Sequence, residues 1–151
     1  MHVTARADYA VRAAIELASL RPASATRQRL AEAQRIPGKF LETILGDLRR
    51  VGIIEAQRGA AGGYRLARDP ATLTLAEIVR VAEGPLAAVR GMPPEDTTYP
   101  GSAVALTQVW VAVRASLRDV LEVTTVADVL TGDLPPQVTA LLERPDSWTR
   151  R

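Results

Sequence analysis

Lys39, Glu42, Thr43, Arg49 and Arg50 fall at positions that one face of a helix would share, and Arg58-Gly59 follows at the start of a glycine-rich segment. These residue types can contact nucleic acid. A lysine can donate to guanine, a glutamate can accept from cytosine N4, and an arginine can pair with a phosphate or enter a narrow minor groove. No comparable set exists for catalysis. The chain has no cysteine and one histidine, His2, so nucleophile–base pairs of the Ser-His or Cys-His kind have no candidates. The absence of cysteine also excludes disulfides, thiolate metal sites and Cys-ligated iron–sulfur clusters. Gly59, Gly62 and Gly63 lack the Lys and Ser/Thr of a P-loop, so they are expected to serve a turn. An enzyme is not expected.

The elements that would hold these residues can be read from periodicity and breakers. Thr4 is a plausible N-cap for a helix over Ala5 to Leu20, with Val11, Ala14, Ile15 and Ala18 at helical spacing and Pro22 beyond its end. Thr26 would cap a second helix that buries Leu30 and Ala31 and ends near Gln34, before Ile36-Pro37-Gly38. The third helix, Gly38 to Arg50, shows an apolar stripe of Phe40, Leu41, Ile44, Leu45 and Leu48. Its other face carries Lys39, Glu42, Thr43, Gly46 and Asp47. Val51 to Ile54 favours a strand, glycines 59 to 63 a turn, and Tyr64-Arg65-Leu66 a returning strand with Tyr64 and Leu66 inward. Thr74 and Glu77 form a capping box for a fourth helix burying Ile78, Val79 and Ala82, which Gly84-Pro85 stops.

Two short helices and a tight turn, followed by a glycine-tipped hairpin, make a winged helix-turn-helix. The third helix would enter the major groove and the wing would lie beside it. Lys39, Glu42 and Thr43 are then candidates for base readout, Arg58 for the minor groove, and Arg49, Arg50 and Arg65 for phosphates. Solvated helix faces and helix-end cations that complement the dipole are the plainer alternative for these charges.

The chain has 151 residues, 47% hydrophobic and 24% charged, the composition of one ordinary domain, and its net charge is only +2. That near-neutrality conceals an asymmetry. Residues 1–68 hold 12 basic and 6 acidic groups, net +6, which leaves residues 69–151 at −4. A basic N-terminal part suits a polyanion, and an acidic remainder suits solvent or a protein partner. No stretch approaches the roughly 20 apolar residues of a membrane span, so a cytoplasmic protein without membrane contact is expected.

Past the breaker-rich stretch from Gly84 to Gly101, a longer helix over Ala103 to Val123 is expected. Leu106, Trp110, Val113, Leu117 and Val120 follow alternating steps of 4 and 3, and Val104, Val109 and Val111 add apolar surface. A second copy of the chain would cover it. Short helices are expected from Thr125 to Gly132 and from Pro136 to Leu142, with a mobile tail from Pro145. The resulting division is 1–84 winged domain, 85–102 loop, 103–123 dimerisation helix and 124–151 C-terminal helices and tail.

Thr4 to Leu17, Leu41 to Gly52, the wing Arg58-Gly59-Ala60-Ala61-Gly62-Gly63-Tyr64-Arg65-Leu66, Leu73 to Ile78 and the helix around Trp110 together resemble the Rrf family of bacterial repressors, the IscR/NsrR-like regulators. The resemblance covers roughly residues 1–131. It implies a fold that is mainly α with a small β-hairpin wing, a winged helix-turn-helix plus a long dimerisation helix. It further implies a homodimer on double-stranded DNA at a pseudo-palindromic operator, with Glu42 and Arg58 (beside Gly59) in the base-reading and minor-groove positions. Many members hold an iron–sulfur cluster through three cysteines in the loop and at the start of the dimer helix. Here residues 91–107 contain none, so no cofactor and no metal are expected. Asp8 matches a place where some members supply a carboxylate ligand, but without thiolates it reads as a surface acid. The switch is left open between a small molecule near Trp110 and Tyr99, a protein effector on the acidic half, and no ligand. A winged protein-interaction module without DNA binding is the competing class; the +6 segment and Arg58 argue against it.

Overall fold

The computed structural model describes residues 2 to 150. Its elements run in the order α1 (Ala5–Ser19), α2 (Arg27–Gln34), α3 (Gly38–Arg50), β1 (Ile54–Gln57), β2 (Gly63–Leu66), α4 (Leu75–Glu83), α5 (Leu106–Leu121), α6 (Val126–Thr131) and α7 (Pro136–Leu142). Two 3-10 turns, Pro94–Asp96 and Gly101–Ala103, lie between α4 and α5. The fold is the expected winged helix-turn-helix, mainly helical, with one antiparallel hairpin. No helix among the described residues is long and apolar enough to cross a membrane.

Threonines start four of the helices. Thr4, Thr26, Thr74 and Thr125 each accept a backbone N–H from the third residue beyond, satisfying a donor that the helix itself leaves free. At Thr74–Glu77 and Thr125–Asp128 the acid also reaches back to the cap's own N–H, completing a capping box. The far end of α3 closes differently. Gly52, at φ +75°, donates to Arg49 O (3.1 Å), and Ile53 donates to Leu48 O (3.0 Å), a Schellman motif that needs the left-handed conformation at the glycine. This motif explains why the strand begins at Ile54 and not at Val51, and why Val51 is exposed.

The core is built on α1. Ala7, Ala10, Ala13, Ala14 and Ala18, with Leu17, are its buried face, and α2, α3, α4 and α6 all pack against it. Methyl-sized side chains let neighbouring helices approach closely. Val11 and Ile15, expected inside, are only half-buried at the margin of that face. Leu30, Leu41, Ile44, Leu45, Leu48, Ile54, Leu66, Leu73 and Ile78 fill the remainder. The core does not stop at residue 84, because Val126 of α6 is fully buried in it. Backbone bonds from Leu75 N to Thr124 O and from Val126 N to Leu73 O, both 2.9 Å, fasten the start of α6 beside the start of α4.

A further expectation needs correction. Phe40 is not part of the apolar stripe of α3; it is 54% exposed and packs edge-on against Tyr9, ring centroids 6.1 Å apart. It lies in the first turn of α3, where Leu41 is the buried residue and Phe40 touches α1 only at its exposed margin, through Tyr9. Beyond Pro145, Ser147 Oγ donates to Leu141 O (2.5 Å) and Trp148 Nε1 to Leu142 O (3.0 Å), placing the chain back on the end of α7.

Candidate nucleic-acid interface

Lys39, Glu42, Thr43, Arg49 and Arg50 all lie on the exposed side of α3, opposite the buried Leu41, Ile44, Leu45 and Leu48. Unlike the four threonine-capped helices, α3 begins at Pro37 with no side-chain cap. Its first turn is exposed at Gly38, Lys39 and Phe40. The face is therefore polar, cationic and open at its N-terminal end.

The wing is positioned by the link between α1 and α2 as well as by its own strands. In the hairpin Ile54 pairs with Leu66, Glu55 with Arg65, Ala56 with Tyr64 and Gln57 with Gly63. Beyond it, Tyr64 and Ala25 exchange both backbone hydrogen bonds at 2.8 Å. That third partner explains Gly63, whereas Gly62 is required by the backbone of the turn itself. A Cβ on Gly63, at φ +146°, would stand 2.4 Å from Ala25 O, and one on Gly62 would stand 2.6 Å from Gly59 O. Gly59, at φ +102°, faces open space and serves only the turn. Tyr64 is half-buried and Leu66 fully buried, both inward as the alternation predicts.

The wing and α3 meet across the first turn of α2. One open cleft of about 350 Å³ runs between Arg29 and Thr26 on one side and Gln57, Gly62 and Arg65 of the wing on the other. A second, of about 470 Å³, runs between Arg27 and Gln28 of α2 and Gly38, Lys39 and Glu42 of α3. Sequence reasoning singled out neither Arg27 nor Arg29. The available signal was a pair of arginines in the first turn of a helix with no acid there, an arrangement opposed by the helix dipole.

The charged residues of this surface fall into two groups. Among the described residues, Lys39, Arg49 and Arg58 have no ion-pair partner. Arg65 pairs with Glu55 across the hairpin, Arg50 with Asp47 at 2.5 Å and Arg27 with Glu42 at 2.7 Å. Asp47, expected on the open face, has a side chain only 14% exposed because it also binds Arg6 of α1. Asp8 is half exposed and pairs with Arg12 at 3.0 Å, one turn along its own helix.

On the other half, Leu106, Trp110, Val113, Leu117 and Val120 are each half-buried, and α5 has no fully buried residue. Val104 and Val109 are 69% and 51% exposed, and Trp110 Nε1 is buried with no hydrogen-bond partner. The loop before α5 is closed by hydroxyls and charge. Buried Thr97 donates to Pro94 O (2.6 Å), Thr107 donates to Thr97 O (2.8 Å), and Arg114 pairs with Glu95 (2.5 Å), which holds the Glu95 carboxyl below its ordinary pKa. Arg90 stacks over Tyr99, 5.5 Å from the ring centre.

Comparison with known proteins agrees with this architecture. Residues 3–132 match the Rrf2 family, described as an iron-dependent transcriptional regulator. A chain from Mycobacterium tuberculosis assigned as an HTH-type transcriptional regulator is 44% identical over 144 residues, covering 95% of this chain and 89% of that one. The HTH-type transcriptional regulator CymR of Bacillus subtilis is 29% identical over 130 residues, covering 85% and 89%. Among solved structures, B. subtilis CymR superposes with a TM-score of 0.74 at 26% identity, covering 87% of this chain and 98% of that one. IscR of T. potens superposes with 0.72 at 30% identity, covering 88% of each.

The iron in the family's description does not fit an iron–sulfur cluster in this chain. The loop offers hydroxyls already bonded to backbone carbonyls and a carboxylate tied to Arg114, and the sequence supplies no thiolate. Among the described residues no group of three His, Asp or Glu side chains could hold a metal ion. With the winged fold, the open cationic face of α3 and the family match over most of its length, the chain belongs to the Rrf2 family of transcriptional regulators.

Proposed function

We propose that the chain is a homodimeric repressor that reads a pseudo-palindromic operator with α3 and the wing, and that it is switched without an iron–sulfur cluster. The observation that carries the reading is the exposure of Lys39, Arg49 and Arg58, without ion-pair partners, on α3 and at the edge of the wing, with Arg27 lining one cleft beside Lys39 and Arg29 the other beside Arg65. Lys39, Glu42 and Thr43, nearest the open start of α3, take base edges in the major groove. Arg58, beside the turn that Gly59 permits, takes the minor groove, where guanidinium insertion reads width. Arg49, Arg50 and Arg65 take phosphates; for Arg50 and Arg65 this means exchanging a carboxylate for a phosphate. Dimerisation through α5 covers Val104 and Val109 and brings two α3 helices to successive turns of one duplex face.

Gel shift of genomic fragments against salt, with the wild-type chain and Arg58→Ala, tests this. Binding should fall steeply as salt rises, and the variant should lose about 10-fold or more at the specific site with little change in nonspecific binding. If no fragment shifts even at low salt, the DNA reading is wrong and the fold serves as a protein-interaction module.

A further inference from the structure

The carboxylate expected to read a base is already held by a neighbour from the other helix of the helix-turn-helix. Arg27 Nη1 lies 2.7 Å from Glu42 Oε2, and the two side chains are 49% and 70% exposed. Exposed pairs of this kind add about 0–1 kcal/mol to stability, so the pair is not there to hold the fold. Arg27 is also the first residue of α2, whose first turn contains no acid, and a cation there is opposed by the helix dipole. Both residues line the open cleft between α2 and α3, whose lining also includes Lys39.

Resting on the DNA-reading role of α3, we propose that Arg27 is a positioning residue for base specificity. It fixes the Glu42 carboxylate toward the groove and cancels its charge against the phosphates. An unpaired glutamate in the second turn of α3 would sample several rotamers and be repelled by the backbone of any sequence. Paired with Arg27, it presents one acceptor oxygen in one place, while the other remains on the guanidinium. Cytosine N4 is the donor that such an oxygen fits in the major groove. Lys39 sits three residues before Glu42 on the same helix but is not its partner.

The test uses the full chain and a pool of duplexes randomised over about 30 base pairs, enough for two half-sites. The wild-type chain should enrich cytosine at two symmetry-related positions, and Glu42→Gln should abolish that enrichment. Arg27→Ala should reduce it on the order of 10-fold at those positions alone, and the Arg27→Ala/Glu42→Gln double variant should show no further loss. Arg27→Lys should recover overall affinity but only part of the cytosine preference, because an ammonium restores the charge without the planar guanidinium geometry. Unchanged melting of each variant keeps the comparison independent of folding. A uniform loss over all sequences in Arg27→Ala, with cytosine enrichment intact, makes Arg27 a plain phosphate contact and overturns the proposal. Cytosine enrichment that survives Glu42→Gln overturns it as well, at the level of Glu42. A wild-type chain that retains no duplex at low salt overturns the DNA reading itself, and this proposal with it.

Discussion

The winged half and helix α5 are built to different degrees of completion within one chain. In the winged half, each of α1 to α4 contributes at least one fully buried side chain, and α6 adds Val126 to the same core. In α5 no residue is fully buried; Val109 on it and Val104 just before it are open, and its ties to the rest include the pair of Arg114, only 14% exposed, with the half-exposed Glu95 and, at its C-cap Glu122, the surface pair with Arg80. Surface pairs of that sort contribute little, whereas each buried leucine contributes a few kcal/mol. One half is thus finished as a monomer. The other presents apolar surface that a single chain leaves wet, and association is the ordinary remedy.

The largest expected effect would break the finished half. Gly63→Ala puts a Cβ 2.4 Å from Ala25 O at φ +146°, where only backbone movement can relieve it. Losing the two Ala25–Tyr64 hydrogen bonds and straining the turn should cost about 3 kcal/mol. Gly59→Ala, at φ +102° but in open space, should cost only the conformational strain, about 1 kcal/mol. Denaturant unfolding measures both. Equal losses would mean that the bond between the wing and the α1–α2 link does not brace the fold.

These two glycines also mark where the sequence was legible and where it was not. A glycine cluster between two β-prone runs announces a turn, and the turn is there. The reason Gly63 must be glycine is a backbone nearly 40 residues earlier in the chain, and no local pattern encodes that approach. Helix starts were legible for the same local reason: Thr4, Thr26, Thr74 and Thr125 act on donors within three residues. The interior face of α1 was harder. Of the stripe Val11, Ala14, Ile15 and Ala18 only the two alanines are buried, and Ala10 and Ala13, which the spacing does not single out, share the centre with them, because proximity to four other helices favours small side chains over more hydrophobic ones. In the candidate site the face of α3 followed from periodicity, but the Arg27–Glu42 and Asp47–Arg6 pairs join different helices and depend on how those helices cross. Asp47 was placed on the open face because its spacing fits; its partner on α1 turns it inward.

The unfinished half can be probed without touching the core. Val109→Glu places a charge on an open apolar position of α5, so unfolding of the winged half should move by no more than about 0.5 kcal/mol. Self-association should weaken about 10- to 100-fold, since a carboxylate would have to be desolvated in the interface. Sedimentation velocity over a concentration series reads this directly. A variant that associates as tightly as the wild type would place the dimer surface elsewhere, and operator binding should then also survive.

The smallest effect bears on the finished half again, at the place where α4 begins beside α6. Glu77 accepts from Thr74 N (3.0 Å) and from Arg68 Nη1 (3.1 Å). The backbone bond from Thr74 is the main cause of a carboxyl pKa below its ordinary 4.5; burial opposes it, and Arg68 adds to the lowering. A carboxyl more acidic in the folded than in the unfolded chain contributes stability in full above the unfolded pKa, and loses it as pH falls through the folded value. Glu77→Gln keeps a side-chain acceptor for the capping box but removes the charge. At neutral pH it should cost less than about 1 kcal/mol, because the side chain is about a third exposed and its ion pair with Arg68 is screened. The difference between wild type and variant should shrink once the pH is well below the folded pKa, where both carry a neutral side chain at position 77. A gap that stays constant from neutral to acid pH would assign the loss to altered packing at the cap. A gap that closes on acidification assigns it to the carboxylate, and with it the electrostatic part of what holds the start of α4 against the link to α6.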